Sequence, residues 1–253
     1  MPFARLPDGE RVHYAERGER REGEPPVVLV HGAGASSAIW MMTMARLARS
    51  GRVVAIDLPG HGPSPLGAGG LGALSIEAYR DAVGLLAATL CLGPSVLVGH
   101  SMGALVALEA ALAWPDKVRG LVLCGAAPRL PVSDELQALL RDDPARVPEW
   151  VAAHGLSAQV KPAVRRAFLA AGIVTPPAVT RADFAAVRAT DLSDRVTNLT
   201  TPTVWLDGAD DGIVAPGEGR RGEVRRLEGV GHLIPIEAPA AIADAVASLG
   251  VNV

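Results

Sequence analysis

Ser101 stands between two glycines in Gly99-His100-Ser101-Met102-Gly103, after the apolar run Ser95 to Val98 and before the Ala- and Leu-rich stretch Ala104 to Trp114. The run reads as a buried strand and the stretch as a helix. A strand that turns into a helix through G-x-S-x-G holds its central residue strained and exposed, and the flanking glycines leave room for the turn. The serine hydroxyl then stands clear of the sheet edge. The Met102 N–H lies at the N-terminus of the new helix, where unpaired donors and the helix dipole favour developing negative charge. These five residues suit a nucleophile and half of an oxyanion hole. Such a nucleophile also needs a base, an acid that orients the base, and a second oxyanion donor. Val27 to Val30 reads as a strand ending in His31-Gly32-Ala33-Gly34, a small loop able to bring the Ala33 N–H to the other side of the same oxygen. Thr203 to Leu206 reads as another strand and runs into Asp207-Gly208-Ala209-Asp210-Asp211-Gly212, and Gly231-His232 follows near the C-terminus.

The order Ser, Asp, His along the chain belongs to one serine-hydrolase fold and not to the chymotrypsin or subtilisin types. With His31-Gly32-Ala33-Gly34, Asp57-Leu58-Pro59-Gly60-His61-Gly62-Pro63-Ser64, the Ser101 elbow, Gly208 to Val214 and Gly231-His232, the chain resembles the α/β-hydrolase fold over nearly its full length. The resemblance implies an α/β architecture: a mostly parallel central sheet flanked by helices, with a small helical lid inserted after the sixth strand. It also implies hydrolysis by a Ser/His/acid triad. The family writes its acid as Gly-x-x-Asp, then a small residue, then Ile or Val. Gly208 plus three gives Asp211, followed by Gly212-Ile213-Val214, so Asp211 is read as the acid ahead of Asp210 and Asp207. Ser101, His232 and Asp211 are then the expected triad, with the N–H groups of Ala33 and Met102 as the oxyanion hole. The same machinery serves carboxylic esters, lactones, thioesters and even carbon–carbon bonds. A short lid on a small chain favours a small or medium carboxylic ester, cleaved through an acyl-enzyme. Lactonase, thioesterase and C–C hydrolase are the nearest alternatives, and a ligand-binding sensor with slow or no turnover is the alternative from another class. Dehalogenase and epoxide hydrolase are disfavoured, because those branches use Asp where Ser101 stands.

Elements must bring these residues together. Ala4 to Leu6 and Val12 to Tyr14 flank Pro7-Asp8-Gly9 as a hairpin. A helix is expected over about 39–49, a strand over 52–56, a helix over 75–92 opened by Ser75, and a strand over 120–124. Strands alternating with helices require right-handed crossovers and a parallel sheet, so the loops at the strands' C-terminal ends gather on one edge. Every proposed catalytic residue falls at such an edge. Between Pro128 and about Asp191 the alternation stops, with five prolines from Pro128 to Pro162 and short amphipathic pieces at 134–141 and 163–171. The expected division is therefore a core of 1–127 and 192–253 with a helical lid at 128–191. Leu130, Trp150, Leu156 and Phe168 are candidates for lining the substrate pocket, or simply for packing the lid onto the body.

Bulk properties bound the function. With 253 residues, 49% of them hydrophobic, and a net charge of −3, the chain has ample core material and no basic field for nucleic acid. No stretch of about 20 apolar residues suggests a membrane span. The charged residues of 1–14 do not resemble an export segment, so a soluble, cytoplasmic protein acting on a small acyl substrate is expected. Oligomeric state is not legible. Cys91 and Cys124 are expected to be buried free thiols. His31 is read as a brace of the oxyanion loop, His100 as packing and backbone support, His61 as a turn residue, and Asp57 as structural. His13 and His154 are read as surface or lid residues. Gly67-Ala68-Gly69-Gly70-Leu71-Gly72 matches G-x-G-x-x-G in letters only, since Pro63, Ser64 and Pro65 stand where a strand is needed. No organic cofactor is expected. No zinc signature occurs, and the three acids at 207, 210 and 211 lack the spacing of a calcium loop.

Overall fold

The computed structural model describes residues 2–171, 175–215 and 219–250. Its strands are β1 (Phe3–Arg5), β2 (Arg11–Arg17), β3 (Val27–Val30), β4 (Val53–Ile56), β5 (Ser95–His100), β6 (Val118–Cys124), β7 (Thr203–Gly208) and β8 (Glu223–Leu227). Helices α1 (Met41–Leu47), α2 (Ile76–Thr89) and α3 (Met102–Ala113) follow β3, β4 and β5 in turn. After β6 come α4 (Asp134–Asp142), α5 (Val147–Gly155), α6 (Pro162–Ala171), α7 (Pro177–Ala189) and α8 (Ser193–Val196). The described chain closes with α9 (Ile234–Glu237) and α10 (Pro239–Ser248).

One eight-stranded sheet runs in the order β1-β2-β4-β3-β5-β6-β7-β8, with β1 and β2 antiparallel and the rest parallel. This is the expected α/β architecture. The central strands are Val-rich and buried at every residue in β3, β4, β5 and β7, as a sheet covered on both faces requires. Period-two alternation sorts their side chains into two apolar layers. Val28, Val30, Leu97 and Leu121 face a layer that includes Val83 and Leu86 of α2 and Leu105 and Leu108 of α3. Leu29, Val98 and Val122 face Met44 and Leu47 of α1 and Ile242 and Val246 of α10.

The sheet also fixes where a site can form. The chain passes from β3 outward to β4 and then returns to place β5 on the other side of β3, so the connections diverge at the β3/β5 boundary. Ligands of open α/β sheets bind in the crevice at the strand C-termini where that divergence occurs. The loop 31–34 leaves β3 and Ser101 leaves β5 at this crevice. Strands β6 and β7 pair directly, Leu121 opposite Thr203, although α4 to α8 separate them in sequence. The segment from α4 to α7, here termed the insertion, lies within the connection between these two adjacent strands.

Several local expectations change. β8 was not anticipated, because Glu223, Arg225 and Arg226 interrupt any apolar pattern; it is an edge strand, where charge discourages further pairing. Cys91 is exposed, because α2 stops at Thr89 and Cys91 falls in the turn beyond it, whereas Cys124 is buried. His13 is buried on β2, which pairs with β4, and its Nδ1 lies 2.5 Å from Asp57 Oδ2. Among the described residues no helix is long and apolar enough to cross a membrane.

Candidate active site

Ser101 is half-buried at the junction of β5 and α3, with φ 54° and ψ −118°, a conformation that costs a side-chain-bearing residue about 1–3 kcal/mol and persists only where its surroundings enforce it. Its N–H donates to the Cys124 carbonyl and its own carbonyl accepts the Ala104 N–H, both at 2.9 Å. The two flanking glycines permit the close approach. A Cβ on Gly99 would stand 2.3 Å from the Gly103 oxygen, and one on Gly103 would stand 2.2 Å from the Val30 oxygen. The helix can therefore lie against β3 only because position 103 carries no side chain.

His232 Nδ1 lies 2.8 Å from Asp211 Oδ2. The other oxygen of Asp211 accepts the N–H groups of Ile213 and Val214, each at 2.8 Å. Burial pushes the Asp211 pKa upward, but the His232 hydrogen bond and charge, with the two backbone donors, outweigh it and leave the pKa below the usual carboxylate range. An ionised Asp211 accepts from Nδ1–H, which leaves Nε2 of a neutral His232 as the basic nitrogen. The neighbouring acids are occupied elsewhere: Asp207 binds Arg220 Nη1 at 2.5 Å, and Asp210 accepts the Ser157 hydroxyl at 2.6 Å.

The elbow and the histidine loop are directly joined, since His100 Nε2–H donates to the His232 carbonyl at 2.9 Å and the two rings lie 4.9 Å apart. Burial, reinforced by His232 and opposed only in part by that bond and Asp211, pulls the His100 imidazole down to about 3, so it is a neutral donor. Among the described residues neither Ser101 Oγ nor His232 Nε2 hydrogen-bonds to the protein. Catalytic hydrogen bonds are often long without substrate and tighten in its complex.

Two backbone donors also remain uncommitted among the described residues. Met102 is the first residue of α3, with no preceding turn to accept its N–H. In the loop after β3, the Gly34 N–H goes to Asp183 and the Ala35 N–H to the Gly32 carbonyl, whereas the Ala33 N–H has no acceptor. His31 braces this loop: its Nδ1–H donates to the Gly32 carbonyl at 2.9 Å and its Nε2 accepts the Leu58 N–H at 3.1 Å. Burial, and then the neighbouring His61, hold its pKa well below the usual imidazole value.

The insertion supplies further support that the sequence did not reveal. The Gly155 carbonyl at the end of α5 accepts the N–H groups of His232 at 2.7 Å and Leu233 at 3.2 Å, and the His154 carbonyl accepts that of Gly212 at 3.0 Å. Glu237 accepts from Gly231 at 3.2 Å and from Ser157 at 3.0 Å; burial raises its pKa despite those donors. Backbone carbonyls carry no side-chain signature, so only the glycines at 155, 212 and 231 hinted at the contact. The four candidate pocket residues fall in three separate clusters. Leu130 is buried in the layer with α2 and α3, and Trp150 stacks on His154 at 4.3 Å beside Leu136 and Leu140. Leu156 and Phe168 pack with Leu233, the residue after His232. Among the described residues no group of three or more His, Cys, Asp or Glu side chains could hold a metal ion.

Comparison with known proteins gives consistent findings. A model of the alpha/beta hydrolase family matches residues 27–245. A pimeloyl-[acyl-carrier protein] methyl ester esterase of Neisseria meningitidis is 31% identical over 237 residues, covering 85% of this chain and 70% of its own. The enzyme of that name from Edwardsiella ictaluri is 31% identical over 209 residues, covering 76% and 77%. Among solved structures, a thermophilic esterase from Thermogutta terrifontis superposes with a TM-score of 0.83 at 25% identity, covering 98% of this chain and 96% of its own. An enol-lactonase from Burkholderia xenovorans superposes with a TM-score of 0.86 at 24% identity over 99% of this chain and 100% of its own, a likeness of fold.

Proposed function

This chain belongs to the alpha/beta hydrolase family, and on that premise we propose that it hydrolyses a small or medium carboxylic ester through an acyl-enzyme formed on Ser101. The observation that carries the reading is the Asp211–His232 pair at 2.8 Å, bonded through His100 to the elbow that presents Ser101. In this reading Ser101 Oγ attacks the acyl carbonyl while His232 Nε2 takes its proton. Asp211 holds the imidazole in the tautomer with hydrogen on Nδ1 and stabilises the cation that forms. The Ala33 and Met102 N–H groups receive the negative charge that develops on the carbonyl oxygen. His232 then returns the proton to the departing alcohol, and a water activated by the same nitrogen releases the acid. The methyl ester esterases among the relatives favour an ester over a thioester or lactone, and they favour a small alcohol leaving group.

We read 128–191 as a lid over this crevice and 1–127 with 192–253 as the core; the direct pairing of β6 with β7 supports that division. Leu156 and Phe168 pack in one cluster with Leu233, the residue that follows His232, and this supports them as pocket residues.

Steady-state hydrolysis of short p-nitrophenyl esters tests the reading. Removal of a triad nucleophile costs on the order of 10⁶ in kcat, so Ser101→Ala should fall to background while keeping the wild-type melting profile. Wild-type protein with no turnover over a panel of esters, or a folded Ser101→Ala with unchanged turnover, would overturn it.

A further inference from the structure

The loop that carries Ala33 is held from outside the sheet. Asp183, on α7 of the insertion, is fully buried at 0% exposure. Its Oδ2 accepts the Gly34 N–H at 2.9 Å and His61 Nε2–H at 2.8 Å, and its Oδ1 accepts the Tyr79 hydroxyl at 2.5 Å. The donors come from three segments: the loop after β3, the 57–64 turn, and α2. Burial of a carboxylate is costly unless such donors replace its water. Here burial, and then the charge of Asp183, hold the Tyr79 pKa above its ordinary value, so the phenol keeps the proton it donates. The Nδ1 atom of His61 lies 3.1 Å from the Pro59 carbonyl oxygen, and its ring lies 4.8 Å from that of His31, the brace on Gly32. The Ala33–Gly34 peptide is thus clamped at its N–H by the insertion, while the preceding Gly32 carbonyl is clamped by His31.

We propose that Asp183 is a positioning residue for the oxyanion hole: by holding the Gly34 N–H it sets the Ala33–Gly34 peptide plane and so aims the adjacent Ala33 N–H at the reacting oxygen. This rests on the reading of Ser101 as nucleophile and Ala33 as oxyanion donor. It makes the insertion part of the catalytic apparatus and not only a cover for the substrate. A merely structural tie between α7 and the core would affect folding alone.

Asp183→Asn separates the two, because an amide of the same shape cannot accept from Gly34, His61 and Tyr79 together. Loss of one oxyanion donor typically costs about 10² to 10³, so a misdirected donor should cost about 10- to 100-fold in kcat, with KM changing less than about threefold. Turnover is normalised to active sites counted by fluorophosphonate titration. Affinity for a trifluoromethyl ketone, whose carbonyl carbon bonds to Ser101 Oγ and whose oxygen becomes an oxyanion, should fall by a similar factor. Unchanged kcat per active site and unchanged ketone affinity in folded Asp183→Asn would overturn the proposal. If that variant does not fold, Tyr79→Phe decides: removal of one donor should lower both quantities about three- to tenfold, and a change below twofold would overturn it. A Ser101→Ala variant that retained turnover would instead sink the underlying catalytic reading. Silent Ser101→Ala beside fully active Asp183→Asn would sink this inference alone.

Discussion

Buried imidazoles surround the candidate triad, and their protonation links the site to the stability of the molecule. His31 and His100 are held neutral, mainly by burial, whereas in the unfolded chain each takes up a proton below about pH 6.5. As pH falls through that value the unfolded state binds more protons than the native one, so stability falls with it, by at most about 1.4 kcal/mol per pH unit for each group. For His100 the loss continues toward its native value of about 3. Asp211 has a depressed native pKa, so its contribution is complete above about pH 3.9 and is lost only as pH falls below that value. Urea midpoints should therefore drop from about pH 6.5 to 5, above the ordinary carboxylate range, with Glu237 opposing the drop at the lower end because its raised pKa lets the folded state take up a proton first. His100→Gln, which retains a donor for the His232 carbonyl, should flatten that slope; an unchanged slope would contradict the neutral buried imidazole. At this scale the sequence was informative wherever chemistry coincided with a strand end. Ser101, Ala33 and Asp211 each follow an apolar run and one or more glycines at a strand end, whereas His232 follows the charged β8 and was marked by Gly231 and the resemblance. Asp183 had no such context, being a single acid in an amphipathic helix whose partners lie 104 to 149 residues away. His13 looked exposed because its burial depends on the pairing of β2 with β4.

At the level of elements, the elbow depends on how closely α3 crosses the sheet. A Cβ at position 103 would press on the Val30 and His31 carbonyl oxygens at 2.2 and 2.4 Å, contacts with backbone that cannot swing aside. Overpacking of this kind costs about 1–3 kcal/mol, and the available relief is a shift of α3 that moves Ser101 and the Met102 N–H with it. Gly103→Ala should consequently lower the melting temperature and reduce ester turnover at least about tenfold. Gly72→Ala, where nothing lies within 4 Å, should change neither. Wild-type turnover in Gly103→Ala would show that the close crossing does not set the nucleophile. The order of strands and helices through β6 was readable from apolar runs and caps; Ser75, for example, accepts the Ala78 N–H at the start of α2. The charged edge strand β8 was not readable, because its place is fixed by pairing with β7 and not by its own apolar pattern.

Across the whole molecule, the site is assembled from segments that are remote in sequence. The end of β5 presents Ser101, the loop after β7 presents Asp211, and the turn before α9 presents His232. The insertion reaches this assembly at two points: α5 carbonyls hold the acid and histidine loops, and Asp183 of α7 holds the loop after β3. Resemblance implied a cover for the pocket, but its grip on the loops of the site depends on backbone contacts that composition does not encode. A chain organised in this way should convert one ordinary serine hydroxyl into a nucleophile through a base more than a hundred residues away. The most direct measurement is reaction with a fluorophosphonate, followed by peptide mapping of the adduct and by labelling rates in His232→Ala. The expected result is one adduct, on Ser101, formed at least about 10² times more slowly once His232 is removed. An adduct at another residue, or labelling of Ser101 at the same rate without His232, would contradict the triad.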